Sequence, residues 1–237
     1  MRIEMFGLGG VHIATNHTTV ETSGDRYAIA TDAESRGIAS LFIVLTSHSE
    51  VRGALAGDAA LPQAYRGDVR RNGVDTRNRV DYGADGSVLG QSTASREARV
   101  PVTPALMRGT VDQLTAFFMM ERQFARRGSC ALVVAVYDGL RRYDLRFADT
   151  ASEPIPAAGE RRFGPVQVCR MRREAIAGFL DNRGRSEGAY EGKLWYARLL
   201  PGDLMVPVRM EFMTEFGPVT GELAELHGRG VDQRWME

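Results

Sequence analysis

Most of this sequence alternates polar and apolar residues with a period of two, and turn residues interrupt the alternation at short intervals. Successive side chains of an extended chain point to opposite faces, so this pattern is typical of strands with one buried face. Asn72-Gly73 and Asp138-Gly139 favour tight hairpin turns. The pattern predicts strands at 2–6, 11–20, 26–33, 48–55, 63–71, 76–82, 131–137, 142–147, 165–176, 193–199, 205–214 and 219–226. We therefore expect a mainly β fold built on a curved antiparallel sheet.

The chain has 237 residues, a length at which all-β sandwiches and barrels still form one unit, so we expect a single β domain over 1–237. The stretch 85–104 is rich in Gly, Ser, Thr and Pro, which predicts a long loop and a candidate lid or rim. The run at 38–45 fits a short helix or a strand, because eight residues are too few for periodicity to separate them. We take it as a short helix.

One amphipathic helix is predicted at about 110–127. Thr110 is the expected N-cap, and Gln113 completes a capping box three residues later. Gly128 is expected to end the helix. Glu121 falls among four apolar residues with helical spacing. These apolar residues should form a stripe that packs on the sheet, and they are Leu114, Phe117, Phe118 and Phe124. Three arginines are expected to face solvent, namely Arg122, Arg126 and Arg127.

The charge balance argues against nucleic acid as a partner, because 30 basic residues face 30 acidic ones and leave no net positive charge. All but one of the basic residues are arginine, the exception being Lys193. The excess of arginine over lysine is most simply explained by the base composition of the genome. The alternative is that the arginines bind carboxylates or phosphates. We expect no transmembrane segment, since no apolar run reaches 18 residues. The first residues lack the pattern of a signal peptide, so an exported chain would be the mature form.

The two cysteines, Cys130 and Cys169, have neither CxxC nor CxxH spacing. An even pair of this kind favours a disulfide over a zinc site, and two separate buried thiols are the alternative. A disulfide would indicate an oxidising compartment outside the cytosol.

The sequence presents no catalytic or metal-binding motif that we accept, and we predict no catalytic residues, no metal and no cofactor. Its four histidines lie on different predicted segments. The glycine-rich stretch at 6–10 lacks the context of a phosphate-binding loop. Asp112 and Glu121 are unsuited as an acid–base pair, because nine residues along a helix place them on opposite sides.

Methionines and aromatic residues are frequent in the last third of the chain and on the helix. They fit either a filled core or an apolar groove left by a curved sheet with the helix across its mouth, since Met-rich surfaces adapt to flexible ligands. The candidates for lining such a groove are Phe117, Phe118, Trp195, Met210 and Phe212.

Several segments resemble an uncharacterised bacterial cell-envelope family, domain of unknown function 3108. They are GTVDQLTAFF at 109–118, the two segments around Cys130 and Cys169, and LWYARLLPGDLMVPVRMEFMTEFG at 194–217. The resemblance runs from about Ile13 to Leu226. It implies export to the periplasm and a fold similar to the half-open, spiral β barrels of lipoprotein carriers. It supplies no catalytic residues, and fold similarity alone does not establish function.

Together these features favour a non-enzymatic binding or scaffold protein of the periplasm or cell envelope that holds a lipid or other amphipathic ligand in an apolar groove. The alternative is an envelope module that binds a protein or a glycan through its convex face or the 85–104 loop. An atypical enzyme is the third hypothesis, and a cleft containing a buried carboxylate or histidine with a shifted pKa would favour it.

Overall fold

The fold is a single large antiparallel sheet curled around one helix. The computed structural model describes residues 1–37, 40, 44–94, 99–151, 163–180, 190–200, 202, 204–214 and 217–236. The strands are β1 Arg2–Phe6, β2 His12–Ser23, β3 Arg26–Ser35, β4 Leu45–Ala56, β5 Ala59–Arg71, β6 Val74–Tyr82, β7 Val88–Ser92, β8 Leu132–Tyr137, β9 Arg142–Asp149, β10 Val166–Ala177, β11 Tyr190–Ala197, β12 Val206–Thr214, β13 Gly217–Gly228 and β14 Val231–Arg234. The helices are α1 Pro104–Met107 and α2 Gln113–Arg127. The predicted mainly β class is confirmed.

Neighbouring strands in the sheet are nearly always neighbours in the chain. The order is β7-β6-β5-β4-β3-β2-β1-β13-β12-β11-β10-β9-β8, with β14 paired to β13. The pairing of β1 with β13 joins the N-terminal half of the sheet to the C-terminal half. Bulges interrupt the register at several pairs, for example between Arg52 and Gly53 and between Trp195 and Tyr196. Because a bulge bends its strand and increases the local twist, these irregularities contribute to the curvature.

The two terminal strands, β7 and β8, approach each other without a hydrogen-bonded ladder among the described residues. A Cβ built on Gly90 of β7 would lie 2.3 Å from the Tyr137 hydroxyl of β8. The tight turn at Gly139 lies against the backbone carbonyls of Arg79 and Gln91. These side-chain and turn contacts close the gap between β7 and β8, which we call the seam. The protein is therefore barrel-like in shape, although hydrogen bonds between these two strands do not close the sheet among the described residues.

The start of α2 differs from the prediction. Asp112 is the N-cap, and its side chain accepts a hydrogen bond from the Thr115 N–H. Thr110 is wrong as the cap, because its hydroxyl donates to the carbonyl of Met107. Val111 is also extended and pairs with Val136 at the edge of β8, so the helix cannot begin before Asp112. Gly128 ends the helix in the left-handed region, as predicted.

The predicted loop at 85–104 needs correction, and most of the predicted helix at 38–45 lies outside the described residues. The predicted loop at 85–104 contains β7, because Val88–Ser92 pairs with β6. Its residues 95–98 lie outside the described residues, and its role as a lid or rim stays a prediction. Most of the predicted short helix at 38–45 also lies outside the described residues, namely 38, 39 and 41–43, while Leu45 begins β4.

Arg122 was expected in solvent but is buried beneath the turn between β4 and β5. Its guanidinium lies 5.6 Å from the centre of the Phe118 ring, and its Nη2 reaches the carbonyl of Gly57. Arg126 and Arg127 are exposed, as expected, and both bind Asp58.

Candidate functional site

A cavity of about 290 Å³ opens between β2, the start of β12 and the end of β13. This volume lies near the lower limit of about 300–1,000 Å³ for small-molecule sites. Four separate parts of the chain and one helical side chain form its wall. The lining residues are Met1, Thr18, Thr19, Val20, Glu121, Leu200, Leu204, Met205, Val206, Pro207, Leu226, His227, Gly228 and Arg229.

The floor of this cavity, which we call the mouth cavity, is apolar. Leu204, Met205, Val206 and Leu226 are each less than 10% exposed. The half-buried Val20 completes one wall, because it shares the inner face of the sheet with its cross-strand partner Ile29. An apolar floor of this kind favours the alkyl or aromatic part of a ligand.

Glu121 is the acidic residue of the described lining, and α2 presents it from the apolar stripe. Burial raises the pKa of Glu121 to about 8, and a hydrogen bond from Tyr196 opposes part of this shift. That bond is long at 3.4 Å between the Tyr196 hydroxyl and Oε1. Glu121 is therefore mainly protonated at neutral pH, so it adds no negative charge to the cavity and can donate a hydrogen bond.

The rim of the mouth cavity is polar and exposed, with Thr19, His227 and Arg229 as its members. Nδ1 of His227 lies 2.6 Å from a carboxylate oxygen of Asp232. The guanidinium of Arg229 donates to the hydroxyl of Thr22 at 2.7 Å. The cavity thus combines a buried apolar floor with hydrogen-bonding groups at its opening.

A second buried acid, Asp112, belongs to the packing of the helix and not to the mouth cavity. It accepts from the backbone N–H and the hydroxyl of Thr115 at 3.0 and 2.7 Å. Tyr27 of β3 shares a 2.8 Å hydrogen bond with the same hydroxyl. Burial raises the pKa of Asp112 to about 6, although the bonds from Thr115 oppose the shift. This cluster fixes the start of α2 against the sheet.

The five residues predicted to line a groove are divided among three packed clusters, and none of them lines the mouth cavity. Phe118 stacks on Tyr27 with ring centres 5.1 Å apart, while Phe117 meets Phe147 edge-on at 5.5 Å. Trp195 is buried beneath the guanidinium of Arg209. Met210 and Phe212 are half-buried beside the core. Their ligand-lining role stays a prediction.

The disulfide between Cys130 and Cys169 is present, as predicted. It joins the segment after α2 to β10, and both sulfurs lie in the core. Asp149 accepts from the Cys130 N–H at 2.7 Å and holds this segment against β9. The bridge therefore links the helix to the sheet that surrounds it.

Three histidines contact carboxylates at separate places: His12 contacts Glu4, His48 contacts Asp32 and His227 contacts Asp232. Within the described ranges, no group of three or more His, Cys, Asp or Glu side chains could hold a metal ion. Among those same ranges, no helix is both long and apolar enough to cross a membrane.

These features define a β-barrel-like protein in which an open antiparallel sheet wraps one helix. The chain belongs to the protein family of unknown function DUF3108, whose family model matches residues 2–224. It is also similar in fold to a solved structure, a β-barrel-like protein of the domain of unknown function DUF1849 from Brucella abortus. That likeness has a TM-score of 0.50 at 12% identity and covers 94% of this chain and 95% of the other. No curated protein matches this sequence.

Sequence reasoning missed the mouth cavity but contained one signal of it. Glu121 is an acid within an otherwise apolar helical stripe, and a buried acid is rare unless something nearby accommodates it. Its partner Tyr196 and the cavity wall come from distant parts of the chain. Local patterns could not bring them together.

Proposed function

We propose that this protein is a non-enzymatic binding protein of the periplasm or cell envelope that holds the apolar part of an amphipathic ligand in the mouth cavity. The ligand class is a lipid or an acylated peptide. The observation that carries the proposal is the buried apolar floor formed by Leu204, Met205 and Leu226 beneath a polar, exposed rim. Such a site receives an alkyl chain and leaves a polar head at the surface.

The disulfide supports the proposed compartment, because disulfides persist in oxidising surroundings and are rare in the cytosol. The family match and the β-barrel-like neighbour concern the fold, so they leave both the ligand and the location to experiment.

The carboxyl group of Glu121 is the feature that would favour an enzyme, since its pKa is shifted and it lies in a cavity. General acid–base chemistry also needs a second group placed on the reacting atoms. The histidine of the described lining, His227, lies on the exposed rim against Asp232, away from Glu121 on the helix. We therefore assign Glu121 to the uncharged lining of the cavity and propose no catalytic role for it.

The first test combines lipid extraction with melting measurements. The purified protein should carry extractable lipid, or an alkyl ligand such as dodecanoate should raise its melting temperature by mass action. A Val20→Trp variant should lose this response, because its indole would occupy the wall of the mouth cavity.

Glu21→Trp is the matched control, since it places the same side chain on the exposed face of the same strand. An absence of lipid and of any melting response in the unmodified protein would remove the proposal. An equal response in both tryptophan variants would place the ligand elsewhere.

A cleft of about 410 Å³ on the outer face of the sheet supports the second candidate function, a module that binds a glycan or a protein. A cross-strand row of polar side chains lines it, running through His17, Asp32, His48, Asp68 and Arg77 on β2 to β6. Carboxylates and imidazoles in a row can hydrogen-bond a polyhydroxylated chain.

Co-sedimentation with purified peptidoglycan tests this second candidate. An Asp32→Asn/Asp68→Asn double variant should sediment less than the unmodified protein. The exposed turn variant Asp25→Asn serves as the control. If the unmodified protein stays in the supernatant, or if all three proteins sediment equally, this cleft is not a peptidoglycan site.

A further inference from the structure

Arg229 occupies an unusual position at the opening of the mouth cavity. It lies in the turn between β13 and β14 with a φ of 52°, in the left-handed region that non-glycine residues rarely adopt. Its Nη2 donates to Thr22 at the end of β2. A Cβ built on Gly202, just before β12, would lie 3.1 Å from its Nη1. The guanidinium therefore lies between two walls of the opening.

Two carboxylates near this opening are already paired. Glu225 receives hydrogen bonds or ion pairs from Arg2 at 2.8 Å and from Arg234 at 2.7 Å. Asp232 lies 2.6 Å from His227. Arg229, in contrast, forms no ion pair with any residue that the structure describes, and its hydrogen bond goes to a neutral hydroxyl. The N-terminal ammonium of Met1, which also lines the cavity, donates to the carbonyl of Thr18. Arg229 thus places on the exposed rim a positive charge without a counter-charge from the described part of the protein.

The interior of the mouth cavity does not supply the missing negative charge. Burial keeps Glu121 mainly protonated at neutral pH, because its pKa is raised to about 8. A ligand with a negatively charged end would therefore find an arginine at the opening and no repelling carboxylate inside. A positively charged end would face only repulsion from Arg229.

We infer that the ligand of this cavity carries an anionic oxyacid head group, a carboxylate or a phosphate, which binds the Arg229 guanidinium while its alkyl chain lies on the floor of Leu204, Met205 and Leu226. The inference rests on the proposed function and specifies its ligand. The planar fork of arginine suits both head groups, because it can donate two parallel hydrogen bonds to neighbouring oxygens. The bond to Thr22 is the one that the head group replaces.

The test is a calorimetric titration of the full chain at pH 7 with four ligands that share a twelve-carbon chain. They are dodecanoate, dodecyl phosphate, dodecanol and dodecyltrimethylammonium. We expect the carboxylate, the phosphate or both to bind on the order of tenfold more tightly than the alcohol, as for one charge-assisted hydrogen-bonded contact. We expect the cation to bind more weakly than the alcohol. The advantage of the anions should shrink with added salt, because the rim is exposed.

Arg229→Gln should lower the affinity for the two anions to that for dodecanol, and it should leave the affinity for dodecanol unchanged. Arg71→Gln is the matched control, since it removes another exposed arginine, one that does not line the cavity, and should retain the preference. Arg229→Lys keeps the charge but not the fork, so it should retain part of the preference. Circular dichroism establishes that each variant is folded.

The outcomes separate this inference from the proposed function. If dodecanol binds as tightly as both anions, or if Arg229→Gln retains the anion preference, the head-group inference is wrong while the cavity remains an alkyl site. If none of the four ligands binds, the proposed function fails as well. A preference for dodecanoate alone or dodecyl phosphate alone supports the inference and identifies which oxyacid the site accepts.

Discussion

Replacing Glu121 with glutamine should change how stability depends on pH. Burial raises the pKa of Glu121 from its ordinary value of 4.5 to about 8, so between these values the native state holds a proton that the unfolded state has lost. The free energy of unfolding therefore falls as the pH rises through this interval. Above pH 8 the full cost of an ionised, buried carboxylate is present.

The magnitude follows from the shift. Each unit of pKa difference corresponds to about 1.4 kcal/mol of unfolding free energy. Because the Glu121 side chain is only half-buried at the cavity, we expect the free energy of unfolding to fall by about 2–5 kcal/mol between pH 5 and pH 9. Glu121→Gln keeps the shape and can still accept from Tyr196, but it does not ionise. The variant should match the unmodified protein near pH 4.5 and be more stable by about 2–5 kcal/mol at pH 9.

Urea unfolding at a series of pH values measures this difference. Other titrating groups, including Asp112 with its pKa of about 6, contribute to both proteins and cancel in the comparison. Parallel stability curves from pH 5 to pH 9 would refute the assignment of a neutral Glu121. A variant that loses stability at high pH would refute it as well.

Four further predictions concern the fold. Asp112→Ala should lower the free energy of unfolding by about 1–2 kcal/mol through loss of the helix cap, as measured by urea titration, and Asp112→Asn should retain most of it. Gly90→Ala should cost about 1–3 kcal/mol because its methyl group would overlap Tyr137 at the seam, and Tyr137→Leu in the same chain should relieve part of the cost. Replacing Cys130 and Cys169 together by alanine should cost about 4 kcal/mol, as expected for a bridge across a sequence separation of 39 residues, and non-reducing mass spectrometry should find one internal disulfide in the unmodified protein. The single-domain hypothesis predicts one unfolding transition that coincides by fluorescence and circular dichroism, and two separate transitions would contradict it.

The sequence predicted most strands because their pattern is local. Alternation marks a buried face wherever the chain is extended, and the register then follows from short turns such as Asn72-Gly73. Val88–Ser92 was missed because it is short and lies within a segment rich in Gly, Ser and Thr, so its strand state depends on its partner β6.

The start of α2 also depends on a tertiary contact that the local sequence pattern does not reveal. Thr110 and Gln113 satisfy a capping pattern, but the edge of β8 binds Val111 in an extended conformation and moves the cap to Asp112. The burial of Arg122 likewise depends on the turn between β4 and β5, which lies about 65 residues earlier in the chain. Tertiary contacts of this kind override local preference.

The mouth cavity was the hardest feature to foresee, because its wall combines β2, the start of β12, the end of β13 and one side chain of α2. The aromatic residues chosen from the sequence lie in or beside the packed clusters, and their ligand-lining role stays a prediction. Only Glu121 carried a local signal, since it interrupts an apolar stripe.

Photoaffinity labelling tests the central claim most directly. Dodecanoate with a diazirine at the end of its alkyl chain should, on irradiation, label peptides that contain 18–20, 204–207 or 226–229, and Val20→Trp should lose this labelling while Glu21→Trp keeps it. Labelling confined to the outer face of the sheet, or labelling that Val20→Trp leaves unchanged, would contradict an alkyl-binding cavity at this end of the protein.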